Sequence, residues 1–118
     1  LTFNVTGRTL NCILNQRSQE MLPANGWNVC QYAALVHMFA RASGLEAGEL
    51  VHVIADAHIY DRHVPIVEKL LEREADCLPA PKLVIADGVT DFYAFTADNV
   101  YLEGYESLKG IGKIPVAI

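Results

Sequence analysis

A chain of 118 residues has room for one domain at most. Its residues are 52% hydrophobic and 19% charged, an apolar share above the globular average, so some of that surface needs cover from a partner subunit or further sequence unless its own core is unusually well filled. A net charge of -5, with nine Lys and Arg and no basic run, excludes nonspecific binding to nucleic acid or anionic membranes, and Arg41, Glu46, Glu49 and Asp56 interrupt every stretch that could approach a membrane span.

The first residues, Leu1-Thr2-Phe3-Asn4-Val5, form no signal peptide and contain no initiator Met, which fits a processed or truncated N-terminus. Three cysteines, Cys12, Cys30 and Cys77, are odd in number and lack metal-type spacing, so they read as buried free thiols in a reducing cytosol. Residues 9–17 predict a strand, and Ser18 to Trp27 a loop with Pro23 and Asn25-Gly26 as turn residues. A helix is expected from about Asn28 to Ala42, with Val29, Tyr32, Ala33, Val36 and Ala40 at helical spacing and Gly44 as its stop. Leu35, Met38 and Phe39 extend its apolar surface nearly all round, as in a buried helix.

Residues 50–60 alternate strictly. Val51, Val53, Ala55, Ala57 and Ile59 share one face, and His52, Ile54, Asp56, His58 and Tyr60 the other. His, Asp and Tyr are not the residues of a solvated strand face, so the polar side reads as the lining of a cleft. A second helix follows, with Pro65 in its first turn and Val64, Val67, Leu70 and Leu71 as its stripe, broken off by Pro79 to Pro81. Lys82–Ala86 and about Asn99–Leu102 read as short strands, and 114–118 as an apolar tail. Helices and strands without regular βαβ units point to the α+β class.

Three groups carry possible chemistry. Gln16-Arg17-Ser18 ends a strand; a guanidinium beside a hydroxyl suits a phosphate, and an Arg there is also commonly a solvated or salt-bridged side chain. Asn28, with Gln31 three residues on, fits a helix N-cap with a capping-box partner, and its amide equally matches the O4 and N3–H edge of a uracil. Asp56, His58, Asp61 and His63 are four potential metal ligands. Strand geometry weakens a metal site, since Asp56 and His58 would lie about 6.5–7 Å apart while Asp61 and His63 fall on the following turn. The alternative is that His58 and Tyr60 address one ligand hydroxyl, with no metal.

In order and spacing these pieces resemble the thymidylate synthase family. That family shows Gln-Arg-Ser, an Asn at the start of a long buried helix, Asp-x-His-x-Tyr-x-x-His, and a C-terminus close to Pro-Val-Ala-Val or Pro-Val-Ala-Ile. Here stand Gln16-Arg17-Ser18, Trp27-Asn28, Asp56-Ala57-His58-Ile59-Tyr60-Asp61-Arg62-His63 and Pro115-Val116-Ala117-Ile118. The resemblance covers essentially the whole chain and implies a partial thymidylate synthase fold, a mixed sheet packed against a long buried helix. It also implies reductive methylation of dUMP to dTMP with 5,10-methylenetetrahydrofolate as cosubstrate, by a cytoplasmic homodimer.

On this resemblance Arg17 and Ser18, beside Gln16, would hold the dUMP phosphate, Asn28 the uracil edge, and His58 with Tyr60 the sugar 3′-hydroxyl. Glu20 stands where the family has an Asp bonding the folate pterin, Ala117 and Ile118 belong to a C-terminal lid, and Asp56 and His63 would be supporting residues. The segment from Pro23 to Asn28 departs from the Leu-Gly-x-Pro-Phe-Asn of many members and resembles a bacterial branch. The family's nucleophilic Cys lies in a Pro-Cys-His motif absent from these residues. Cys12 matches a strand cysteine instead, so the chain alone is expected to be inactive and, without the family's further phosphate-binding arginines, weak toward dUMP. A deoxycytidylate hydroxymethylase would be expected to carry Asp at position 28. Two other readings are a non-catalytic nucleotide-binding or dimer-forming module and a metal-dependent hydrolase built on Asp56, His58 and His63.

Overall fold

The computed structural model describes residues 1–116, so Ala117 and Ile118 lie outside the described residues. Strand β1 (Thr2–Thr6) and strand β2 (Thr9–Gln16) form an antiparallel hairpin through a two-residue turn, Gly7-Arg8. Gly7 has φ +62° and Arg8 a negative φ, the pattern of a turn that takes Gly at its first central position. Strand β3 (Gln19–Glu20) leads through Pro23 into helix α1 (Ala24–Ala42). Strand β4 (Glu46–Ile54) then pairs parallel to β2, giving a mixed three-stranded sheet of order β1-β2-β4.

Past a bend at Ala55-Asp56, strand β5 (Ala57–His58) pairs parallel to β3, with Glu20 opposite His58. A 3-10 turn at Asp61–His63 opens helix α2 (Val64–Leu71), whose Pro65 sits at the start of the helix, where its missing N–H costs no helical bond. Strands β6 (Lys82–Ile85) and β7 (Val100–Glu103) form a separate antiparallel pair.

Period-two alternation decides how β2 packs. Leu10, Cys12 and Leu14 are buried, and with Val36 and Ala40 of α1 they are the buried apolar core. Phe3 belongs to the same side of the sheet, its ring 5.2 Å edge-on to Phe39, which stacks on Phe92 at 4.9 Å. The long helix thus lies on the sheet as expected, although within this chain only Val36 and Ala40 of it are fully covered.

Several expectations need correction. Helix α1 begins at Ala24, so Asn25-Gly26 is helical, and the N-cap is Pro23 with no side-chain cap bond. Asn28 therefore does not cap. Its Nδ2 donates to Ala24 O at 2.9 Å, one turn back. The strand expected over 50–60 starts earlier, at Glu46, and is interrupted after Ile54. Only Cys12 of the three thiols is buried, while Cys30 and Cys77 are exposed. Gly44 does stop α1, at φ +66°, with Leu45 N donating to Ala40 O at 2.8 Å.

The alternation of β4 holds with its apolar side outward. Val51 and Val53 are 47% and 48% exposed, whereas His52 and Ile54 are half-buried on the α1 side. The chain exposes 8497 Å², against about 6,300 Å² for a folded monomer of this mass. Its radius of gyration is 16.7 Å, against about 13.5 Å for a compact domain of this length. The excess, about 2,000 Å², has the size of a substantial protein interface.

Candidate functional site

The site grows from the place where β2 and β4 end side by side and the chain turns from each into a second, shorter parallel pair. Gln16 anchors that corner: its Oε1 lies 3.1 Å from His52 Nε2, and its Nε2 donates to Ser18 O at 3.2 Å. Backbone bonds from Gln19 N to Asp56 O and Met21 N to His58 O, both 2.9 Å, tie the two turns together. This junction brings residues 38 positions apart into contact. Ser18 Oγ donates to Asp56 Oδ2 at 3.1 Å, and the same carboxylate oxygen is 3.5 Å from His58 Nδ1.

His58 Nδ1 also faces Asp56 O at 3.4 Å. Both neighbours of that nitrogen are acceptors, so a neutral ring keeps its proton on Nδ1 and leaves Nε2 as an acceptor for an incoming hydroxyl. The Tyr60 ring packs edge-on against His58 at 5.3 Å and against His63 at 5.7 Å. Arg17 is exposed at the end of β2, next to Ser18, with its charge facing solvent. Gln16, Ser18, Asp56, His58 and Tyr60 are thus one connected group. Arg17 adjoins it, and Asn28, bonded back onto α1, is not joined to it by any described bond.

A second group lies beside the first. His63 is buried, 2% exposed, with Nδ1 3.1 Å from Glu20 Oε1 and Nε2 2.8 Å from Pro115 O. Glu20 Oε2 accepts from Leu22 N at 3.1 Å, so the carboxylate is held at both oxygens. The His63 pKa is raised above 6.5, first by the Pro115 carbonyl and then by the Glu20 carboxylate, against a smaller opposing effect of burial. These residues border a cavity of about 610 Å³ whose other walls are Leu22, Pro23, Trp27, Tyr60, Ile114 and Val116. An apolar pocket of this size with one fixed carboxylate suits a small organic ligand that carries a hydrogen-bond donor.

His63 is bound to Glu20 and Pro115, whereas His58 faces Asp56. Among the described residues no three His, Cys, Asp or Glu side chains gather as metal ligands would. Burial pushes the Cys12 thiol up, opposite to what a nucleophile needs. Sequence reasoning put His52 on the cleft-lining face but missed its bond to Gln16, which crosses two strands, and the lining roles of Leu22, Trp27 and Ile114. It also missed Gln19, which is fully buried with Oε1 unpartnered among the described residues. The apolar tail and the Trp27-Asn28 pair were signals of the pocket; nothing local marked Gln19.

The match to the thymidylate synthase family model spans residues 1–118. A thymidylate synthase of Clostridium beijerinckii is 41% identical over 116 residues, which is 98% of this chain and 44% of that protein. The solved thermostable thymidylate synthase A from Bacillus subtilis superposes with a TM-score of 0.86 at 35% identity, over 95% of this chain and 40% of the other. The chain therefore spans less than half the length of these relatives. With the whole of its own length matched, at that identity and on that fold, the chain belongs to the thymidylate synthase family.

Proposed function

We propose that this chain is the recognition part of a thymidylate synthase, which methylates dUMP to dTMP with 5,10-methylenetetrahydrofolate. The observation that carries the reading is the Gln16–Ser18–Asp56–His58–Tyr60 group, in which two turns distant in sequence present a hydroxyl, an imidazole and a phenol on one side. Arg17 with Ser18 takes the phosphate of dUMP, and Gln16 fixes the turn that carries them. His58 and Tyr60 take the sugar hydroxyl, with Asp56 setting the His58 tautomer. Asn28 reads the uracil edge once its amide leaves Ala24, an exchange of one neutral hydrogen bond for another that costs about 1 kcal/mol or less.

The cavity bordered by Glu20 and the tail takes the folate, with Glu20 accepting from its ring. The folate supplies the one-carbon unit and the reducing equivalent. The protein's part is to hold the two ligands in contact and exclude water. The thiolate nucleophile is assigned to sequence preceding Leu1, because Cys12 is sealed in the core and neither Cys30 nor Cys77 takes part in the described bonds of the group. The 118 residues alone are therefore inactive.

The outward face of the sheet, with Ile13, Val51 and Val53 among Thr2, Asn4, Thr9 and Asn11, supports a homodimer. A cytoplasmic location belongs to the same reading. The test is dTMP formation from dUMP and methylenetetrahydrofolate, assayed for this chain and for one extended with the sequence that precedes Leu1. Turnover by the extended chain and none by the shorter one is expected. Absence of turnover in both, with the extended chain folded, would refute the assignment.

A further inference from the structure

We propose that His63 is a positively charged latch, bridging the Glu20 carboxylate and the Pro115 carbonyl so that the C-terminal tail is held against the pocket. The latch goes beyond the reading above and rests on it only for what the pocket takes. The argument is one of counting donors. A neutral imidazole has one N–H and one lone pair. Here both ring nitrogens, at 3.1 Å and 2.8 Å, face oxygens, Pro115 O, which can only accept, and Glu20 Oε1, which accepts as a carboxylate. Either neutral tautomer would set a lone pair against a lone pair at a position 2% exposed, with no room for water to intervene. The imidazolium satisfies both contacts.

The groups around the ring agree with a cation. Glu20, on β3, supplies the opposite charge. Arg62, on the same 3-10 turn, opposes the charge but turns its guanidinium to Val116 O at 2.6 Å, while the tail's own charge, Lys113, is exposed. The His63 pKa lies above its ordinary 6.5 in the fold. A raised value means that the latch contributes fully below the ordinary pKa and is lost as pH rises through the raised one. The tail is thus held more firmly on the acid side than on the alkaline side, with Arg62 as a second tie. His63 is a positioning residue, setting both the Glu20 carboxylate and the tail.

Two readouts on the full chain test this without any ligand. The imidazole 15N spectra of the labelled protein, followed through a pH series, should show His63 losing its second proton with a midpoint above 6.5. The emission of Trp27, the sole tryptophan and a wall of the same cavity, should show a pH transition with a midpoint above 6.5. His63→Gln should abolish that transition, and Glu20→Gln should move its midpoint down. A His63 midpoint at or below 6.5, or an unchanged Trp27 transition in His63→Gln, would overturn the latch. If His63→Gln fails to fold, the wild-type imidazole spectrum decides alone. Neither readout depends on dTMP formation, so the latch and the assigned reaction fail separately.

Discussion

Replacing Gly48 with Ala tests how the sheet delivers its polar residues to the site. Between Leu10 and Cys12 of β2, strand β4 advances from Ala47 to Leu50, one residue more than its partner. This bulge sets the register beyond it, pairing Leu14 with His52 and Gln16 with Ile54. A slip of one residue would turn His52 to the outer face and break its bond to Gln16. Gly48 sits in the bulge, and a Cβ there would collide with Asn11 Oδ1, approach Thr9 Cγ2 to 2.5 Å and Leu10 O to 2.9 Å. The two side chains can rotate, but the backbone oxygen cannot. Asn11 Oδ1 also accepts from Glu49 N at 3.0 Å, so moving it forfeits about 1 kcal/mol more. Overpacking of this kind costs about 1–3 kcal/mol, and the sum predicts a loss of about 2–4 kcal/mol. With a slope of about 1–3 kcal/mol per M, the urea midpoint should fall by at least ~0.7 M. Asn11→Ala in the Gly48→Ala background should recover only part of it. A midpoint within about 0.2 M of wild type would show that the bulge tolerates a side chain and that the packing argument is wrong.

Two further outcomes follow from burial. A thiol-reactive dye should label Cys30 and Cys77 quickly in the native chain and Cys12 only on unfolding, since burial both hides that thiol and pushes its pKa up; prompt labelling of all three would contradict the core described. Val53→Glu, on the outward apolar face, should leave the far-ultraviolet circular dichroism unchanged and shift a sedimenting dimer of the extended protein to monomer, because an unpaired charge would be desolvated at the interface; an unaltered dimer would remove that face from the interface.

How far the sequence could be read depended on whether the deciding interaction was local. Pro65, Gly44 and the apolar runs at Lys82–Ala86 and Asn99–Leu102 act within a few residues, and the start of α2, the end of α1 and both strands stand where expected, within a residue or so, whereas α2 ends at Leu71 and not at Pro79. The start of α1 was misplaced because Asn25-Gly26 carries turn propensity, which the helix overrides by running back to Pro23. Strand β1 had no signal of its own, being fully exposed and held by β2 through the Gly7 turn. The alternation of 50–60 was real but did not reveal the bend at Ala55-Asp56 or which face lies inward; that is set by the parallel pairing of β4 with β2.

The site was legible as a set of residue types, and the joining of Ser18 to Asp56 is the tertiary event that makes it a group. Asn28 shows the limit. Its spacing fitted a cap, its structure shows a back-bond to Ala24, and its reading of a uracil edge remains a proposal.

The central claim, that this group binds dUMP, is tested most directly by calorimetric titration of dUMP into the extended protein and its Arg17→Ala and His58→Ala variants. Each substitution should weaken binding about tenfold or more, as loss of a charge-assisted or directed hydrogen bond of ~1.5 kcal/mol requires, and the 118 residues alone should bind weakly. Unchanged affinity in both variants, or tight binding by the short chain, would contradict it.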